Sequence, residues 1–222
     1  MQKDDRIGAS GDGYADPAAL RQHVITNDDF RHPSMHLNPP LTQEELDRLA
    51  SRVKVLLMDV DGVLTNGLLF LVPGPDGKMV ETKGFDSQDG IALRWLTWFD
   101  IKTGVISGRD SPATSERARQ VGMTWVFQGH IEKIPLLERI LEESKVSSDE
   151  VAYIGDDLTD VVIMRRVGLS FATANARPEV KASCHAVTDV PGGSGAAREV
   201  IELLLRARGV WPNLLEKYEV TR

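Results

Sequence analysis

Apolar residues along the chain fall into short unbroken runs, separated by longer stretches in which they recur every three or four positions. The runs "VKVLLM" (53–58), "KTGVIS" (102–107), "TWVFQ" (124–128), "VAYIG" (151–155) and "LSFAT" (169–173) predict buried strands. Between them, helices are expected near 89–99, from Ser111 onward, near 131–144, near 158–167 and from about 195 to 208. Ser111 is placed as an N-cap with Pro112 in the first turn, and Thr42 with Glu45 forms a capping box ahead of the first core strand. Strands alternating with helices of this length require parallel crossover connections, hence a doubly wound α/β sheet. One segment breaks the rhythm: residues 67–85 predict a β-hairpin around Pro75-Asp76-Gly77, projecting from the end of the first core strand. Residues 1–41 carry Gly, Asp, Asn, His and Pro without any period, so they predict a mostly irregular extension to a single domain over 42–222.

Composition narrows the class without naming a chemistry. The 222 residues are 41% hydrophobic and 27% charged, as in a globular domain, and a net charge of −7 argues against nucleic acid as the main partner. A lone cysteine, Cys184, excludes an internal disulfide framework and suits a reducing compartment. With no apolar run near 18 residues and a polar N-terminus, the expectation is a cytoplasmic protein without a membrane span.

The candidate chemistry lies in the loops after the predicted strands, where open α/β sheets bind their ligands. Asp59 and Asp61 follow the first, and their spacing of two predicts that both carboxylates leave the strand on one side, held close enough to need a cation or a shared proton. "SGRD" (107–110) follows the second, Lys133 opens a helix after the third, and "GDDLTD" supplies Asp156 and Asp160 after the fourth. Each cluster alone is explained by a turn, a helix cap or a solvated lysine. Together they bring acids, a hydroxyl and an amine to one rim, a set suited to phosphoryl transfer. Asp59 and Asp156 can bind Mg²⁺, which takes oxygen ligands and phosphate together. Asp59 can attack phosphorus, Asp61 can serve as acid and then base, and Ser107 with backbone amides can hold the phosphate oxygens.

"DVDGVLT", "VISGR", Lys133 and "YIGDDLTD", in this order across most of residues 54–206, resemble the haloacid dehalogenase superfamily of phosphatases. The hairpin with "GFDSQDG", "QGHIEK" and "GGSGAAREV" makes the chain more similar still to its members that hydrolyse phosphorylated sugar acids for lipopolysaccharide synthesis. The resemblance implies Asp59 as nucleophile and Asp61 as acid/base. It implies Mg²⁺ held by Asp59, Asp156 and the Asp61 main-chain carbonyl, with Asp160 orienting a metal-bound water. It further implies substrate contacts from Asp61, Asp86, Ser87, Gln88, Asp89, Gly90, Arg94, Gly108, Arg109, Arg117, Lys133 and Arg198, with arginine suited to a carboxylate.

The chain departs from that pattern at Gln88 and Ser194, where the family carries basic residues, and at Ser107, where it commonly has threonine. The two missing positive charges leave a nine-carbon sugar acid as an alternative to an eight-carbon one; a non-catalytic domain of this fold and a phosphomutase are the rivals from other classes. No room for a cap domain exists between Asp61 and Ser107 or between Lys133 and Asp156. Capless relatives form tetramers in which a neighbour's hairpin closes the site, and "LLFLV" (68–72) suits such a buried contact.

Overall fold

The computed structural model describes residues 35–220. In chain order the described elements begin with β1 (His36–Leu37), α1 (Gln43–Ser51), β2 (Val55–Met58) and the hairpin strands β3 (Phe70–Pro73) and β4 (Met79–Thr82). They continue with α2 (Ser87–Leu96), β5 (Lys102–Ile106), α3 (Pro112–Val121), β6 (Trp125–Phe127), α4 (Ile134–Ser144) and β7 (Val151–Gly155). The remainder is α5 (Val161–Met164), β8 (Leu169–Ala172), α6 (Pro178–Lys181), β9 (Ala186–Val187) and α7 (Ala196–Ala207). From Pro212 onward the chain belongs to a second compact unit, whose described residues lie in α8 (Trp211–Lys217) and the turn after it.

Seven strands form one sheet in the order β1-β9-β8-β7-β2-β5-β6, parallel throughout except for β1. Every residue of β2, β7 and β8 is buried, which is why these strands read as continuous apolar runs. The connections leaving β2 build the sheet toward β6, whereas those leaving β7 build it toward β9. The two central strands therefore diverge at their carboxyl ends and open a crevice, the place where such sheets hold ligands. Helices cover both faces. On one, α7 packs against α1 and α2 through a stripe that includes Val200, Ile201, Leu203 and Leu204. On the other, Leu137 and Ile140 of α4 and Ile163 and Met164 of α5 meet Val55, Leu57 and Tyr153.

Several expectations shift in detail. The capping box at Thr42 forms, with Glu45 N donating to Thr42 Oγ1 at 3.2 Å. Ser111 is the N-cap of α3, yet its hydroxyl makes no capping bond; instead its backbone N–H donates to Gln128 Oε1 at 2.9 Å. The helix expected near 131–144 begins only at Ile134, and the one near 158–167 shrinks to a 3₁₀ turn, Leu158–Asp160, followed by the single turn of α5. Of the expected irregular extension, residues 1–34 lie outside the described part, and its end is ordered by pairing: His36 and Leu37 add an antiparallel edge to β9.

Candidate active site

Beyond Met58 the chain leaves the strand in a tight turn. Asp59 N still donates to Ile154 O of β7 at 3.0 Å, after which Val60 O accepts from the amides of Leu64 and Thr65. Asp61 thus lies on the turn, where strand alternation no longer sets its direction. Gly62, at φ +88°, completes it; a Cβ there would lie 2.1 Å from Asp156 Oδ2, so this glycine is what lets the β7 acid approach the β2 loop. Gly62 O accepts from Thr173 Oγ1 at 3.2 Å and Asn175 Nδ2 at 3.0 Å, and the glycine-rich loop before α7 latches on through Gly193 N to Val63 O.

Ligand atoms of Asp59, Asp156 and Asp160 lie within 4.8 Å of one another. These three acids, drawn from the ends of two strands, crowd together, while Asp61 bonds to Lys83. Burial, reinforced by Asp160 against Lys133, pushes Asp59 up to about 6. Asp156 rises to about 7, first from burial and then from Asp160, Asp59 and Asp157. One buried oxygen on each, Asp59 Oδ1 and Asp156 Oδ1, has no hydrogen-bond partner.

Asp160 differs from its two neighbours. Its Oδ1 accepts from Tyr153 OH at 2.6 Å and Lys133 Nζ at 2.7 Å, and its Oδ2 from the amides of Asp156 and Asp157 at 2.9 and 3.1 Å. With four donors already engaged, this carboxylate acts as a bracket for Lys133 and the Asp156 loop; an added metal-bound water would have to compete with them. Lys133, 2% exposed, also reaches Tyr153 OH at 3.1 Å and Asp59 Oδ1 at 3.4 Å, the latter an ion pair without hydrogen-bond geometry.

Asp61 has its own ammonium. Lys83, one residue beyond β4, places Nζ 2.7 and 2.8 Å from the two Asp61 oxygens and 3.4 Å from Glu81. Arg109 stands on the solvent side, 3.7 Å from both Asp61 and Glu81. Ser107 is buried at the end of β5, its Oγ accepting from Arg109 N at 3.3 Å, with Gly108 exposed beside it.

The expected substrate segment divides. Asp86 caps α2, accepting from Gln88 N and Asp89 N, while Ser87, Gln88 and Arg94 are exposed. Asp89 reaches the start of α7, where its Oδ1 accepts from Arg198 N at 2.8 Å; burial raises it to about 6. Arg117 donates to Asp86 O at 2.7 Å and packs against Gly90, and Arg198 pairs with Glu202 at 2.7 Å over the Trp95 ring. Asp86, Asp89 and Arg198 are thus committed to helix ends and a local ion pair. Sequence reasoning missed Lys83 and Tyr153. The signal for Lys83 was its spacing of two from Glu81; Tyr153 was hidden in a buried run whose hydroxyl had no stated purpose.

Acids from the two central strands, a buried lysine and a hydroxyl at the end of β5 define a phosphoryl-transfer site of one recognised class: residues 113–200 match the model of haloacid dehalogenase-like hydrolases. A curated relative, the 3-deoxy-D-manno-octulosonate 8-phosphate phosphatase of Yersinia pestis, is 38% identical over 169 residues, covering 76% of this chain and 88% of the relative. The Escherichia coli enzyme of the same name (strain K12) is 39% identical over 160 residues, covering 72% and 83%. Among solved structures, the phosphatase from Moraxella catarrhalis in complex with magnesium, phosphate and KDO superposes with a TM-score of 0.75 at 32% identity, over 80% of this chain and 99% of that one. The chain belongs to the 3-deoxy-D-manno-octulosonate 8-phosphate phosphatases of the haloacid dehalogenase-like hydrolases. Mg²⁺ fits the residues present: an all-oxygen donor set, crowded acids, and two buried carboxylate oxygens without a hydrogen-bond partner.

Proposed function

We propose that this chain hydrolyses 3-deoxy-D-manno-octulosonate 8-phosphate to KDO and inorganic phosphate. The observation that carries the reading is the Asp59–Asp156 pair at the divergence of the central strands: each has a buried oxygen without a hydrogen-bond partner, and Lys133 lies 3.4 Å from that of Asp59. Asp59, Asp156 and the Asp61 carbonyl would hold Mg²⁺, which when bound would supply positive charge against the phosphate. Asp59 attacks phosphorus, and the bridging P–O bond breaks with its electron pair passing to the sugar oxygen, which takes a proton from Asp61. Asp61 then removes a proton from water as that water attacks the aspartyl phosphate, releasing phosphate and restoring Asp59. Lys133, Ser107 and the amides of Gly108 and Arg109 hold the phosphate, and Arg109 at the mouth faces the sugar acid.

Release of phosphate from KDO 8-phosphate in Mg²⁺ tests the reading, with the 9-phosphate of a nine-carbon sugar acid as comparison. The eight-carbon substrate is expected to show the higher kcat/KM. A reversed order favours the nine-carbon alternative, which the exposed neutral Gln88 and Ser194 support; turnover of neither sinks both.

The hairpin supports an assembly. Leu68, Leu69, Phe70, Leu71, Val72, Met79 and Val80 are all exposed on a two-stranded ribbon, an arrangement that copies of the chain would cover in the homotetramer we propose. Phe70→Asp with Leu71→Asp is expected to yield monomers in sedimentation velocity and to lower turnover at least about tenfold as the site loses its cover. Unchanged sedimentation overturns the interface. The lone free thiol of Cys184 supports the cytoplasm as compartment.

A further inference from the structure

Lys83 is a charge the chemistry above does not use. Its side chain is fully buried, and its ammonium spends two short hydrogen bonds on Asp61, leaving Glu81 at 3.4 Å as the third contact. A buried ion pair is a poor means of stabilising a fold, since apolar replacements of similar volume are often neutral or better. The pair therefore asks for a role beyond stability. Two N–H···O bonds to one carboxylate fix the plane of that group, and here they come from the strand end of the hairpin, 22 residues along the chain. Arg109 offers Asp61 a competing partner on the solvent side, 3.7 Å away and half exposed.

We propose that Lys83 is the positioning residue of the general acid, holding the Asp61 carboxyl toward the bridging oxygen and against the pull of Arg109. The proposal rests on the phosphatase reading. In the acid form one Asp61 oxygen keeps its bond to Lys83 while the other carries the proton. That proton passes to the sugar oxygen as its bond to phosphorus breaks and Asp59 Oδ bonds to phosphorus.

The test is a leaving-group comparison of kcat/KM in Mg²⁺, a quantity that covers the steps through release of the alcohol. An alkyl alcohol needs its proton as the bond breaks, whereas p-nitrophenolate leaves without one. Lys83→Met is expected to lower kcat/KM for KDO 8-phosphate by about a hundredfold, within the range general acids contribute, and that for p-nitrophenyl phosphate by less than about tenfold. Lys83→Gln, which retains a neutral donor, should show the same imbalance in weaker form, and it carries the test if the methionine variant does not fold by circular dichroism. Equal losses on both substrates mean that Lys83 only anchors the hairpin, and no loss on either means that Asp61 needs no such support; each overturns the proposal. Wild-type protein that releases phosphate from neither substrate brings down the phosphatase reading itself.

Discussion

Asp59→Asn is expected to lower phosphate release by about 10⁴-fold or more while making the metal-free protein harder to melt. The first effect arises from replacing the attacking carboxylate by an amide of the same shape, since removing a nucleophile forfeits most of the catalysis its whole constellation supplies. The second arises from the geometry of the acids. Asp59 and Asp156 are pushed up to about 6 and about 7, in both cases chiefly by burial. A carboxyl whose folded value lies above its unfolded one holds its proton more tightly in the folded state. Its favourable contribution is complete below about pH 4 and is lost as pH rises through 6 to 7. At pH 7.5 without a divalent ion the wild type therefore carries charges that oppose folding, and Mg²⁺ should reverse the penalty, by about 2.7 kcal/mol at a hundred times its Kd. With one acid neutralised, the variant should start from a higher Tm and gain less from Mg²⁺. Thermal melts with and without Mg²⁺ alongside a phosphate assay read both effects. A wild-type Tm indifferent to Mg²⁺, or a variant that turns over normally, rejects the arrangement of nucleophile and metal together.

What the sequence disclosed depended on how local the cause was. The buried runs at 55–58, 151–155 and 169–172 became three adjacent strands of the sheet because a parallel sheet covered on both faces demands unbroken apolar residues. The acids at 59 and 156 were legible because the loops after such strands share one rim. So was their meeting at one cation; the lysine that holds Asp61 was not. Asp59 crowds with Asp156 and Asp160, and Asp61 turns to Lys83, because β2 ends at Met58 and the turn closed by Gly62 redirects the side chains beyond the strand. No periodicity survives a turn of that kind. The long-range cap from Arg198 N to Asp89 Oδ1 was not legible either, because it joins residues 109 apart and leaves no mark on local spacing.

Lys133→Met puts the division between scaffold and chemistry to a sharper test. The ammonium is 2% exposed and lies among three carboxylates, bonded to Asp160 at 2.7 Å and paired with Asp59 at 3.4 Å. Its removal leaves a fully buried acid, Asp160, with only Tyr153 and two amides to compensate it. Breaking one side of such a pair costs on the order of 3 kcal/mol, so Tm should fall by several degrees, and turnover should fall by about 10³-fold as the phosphate loses a fixed positive charge. Adding Asp160→Asn removes the stranded charge along with the lysine. Because the two residues share one interaction, their effects on stability should not add, and the double variant should melt closer to the wild type than Lys133→Met does. Its turnover should stay as low as that of the single variant, because asparagine can quiet the buried charge but puts no cation beside the phosphate. Recovery of both stability and turnover in the double variant would mean that Lys133 serves only to neutralise Asp160, and that the transferred phosphoryl group is held by other residues.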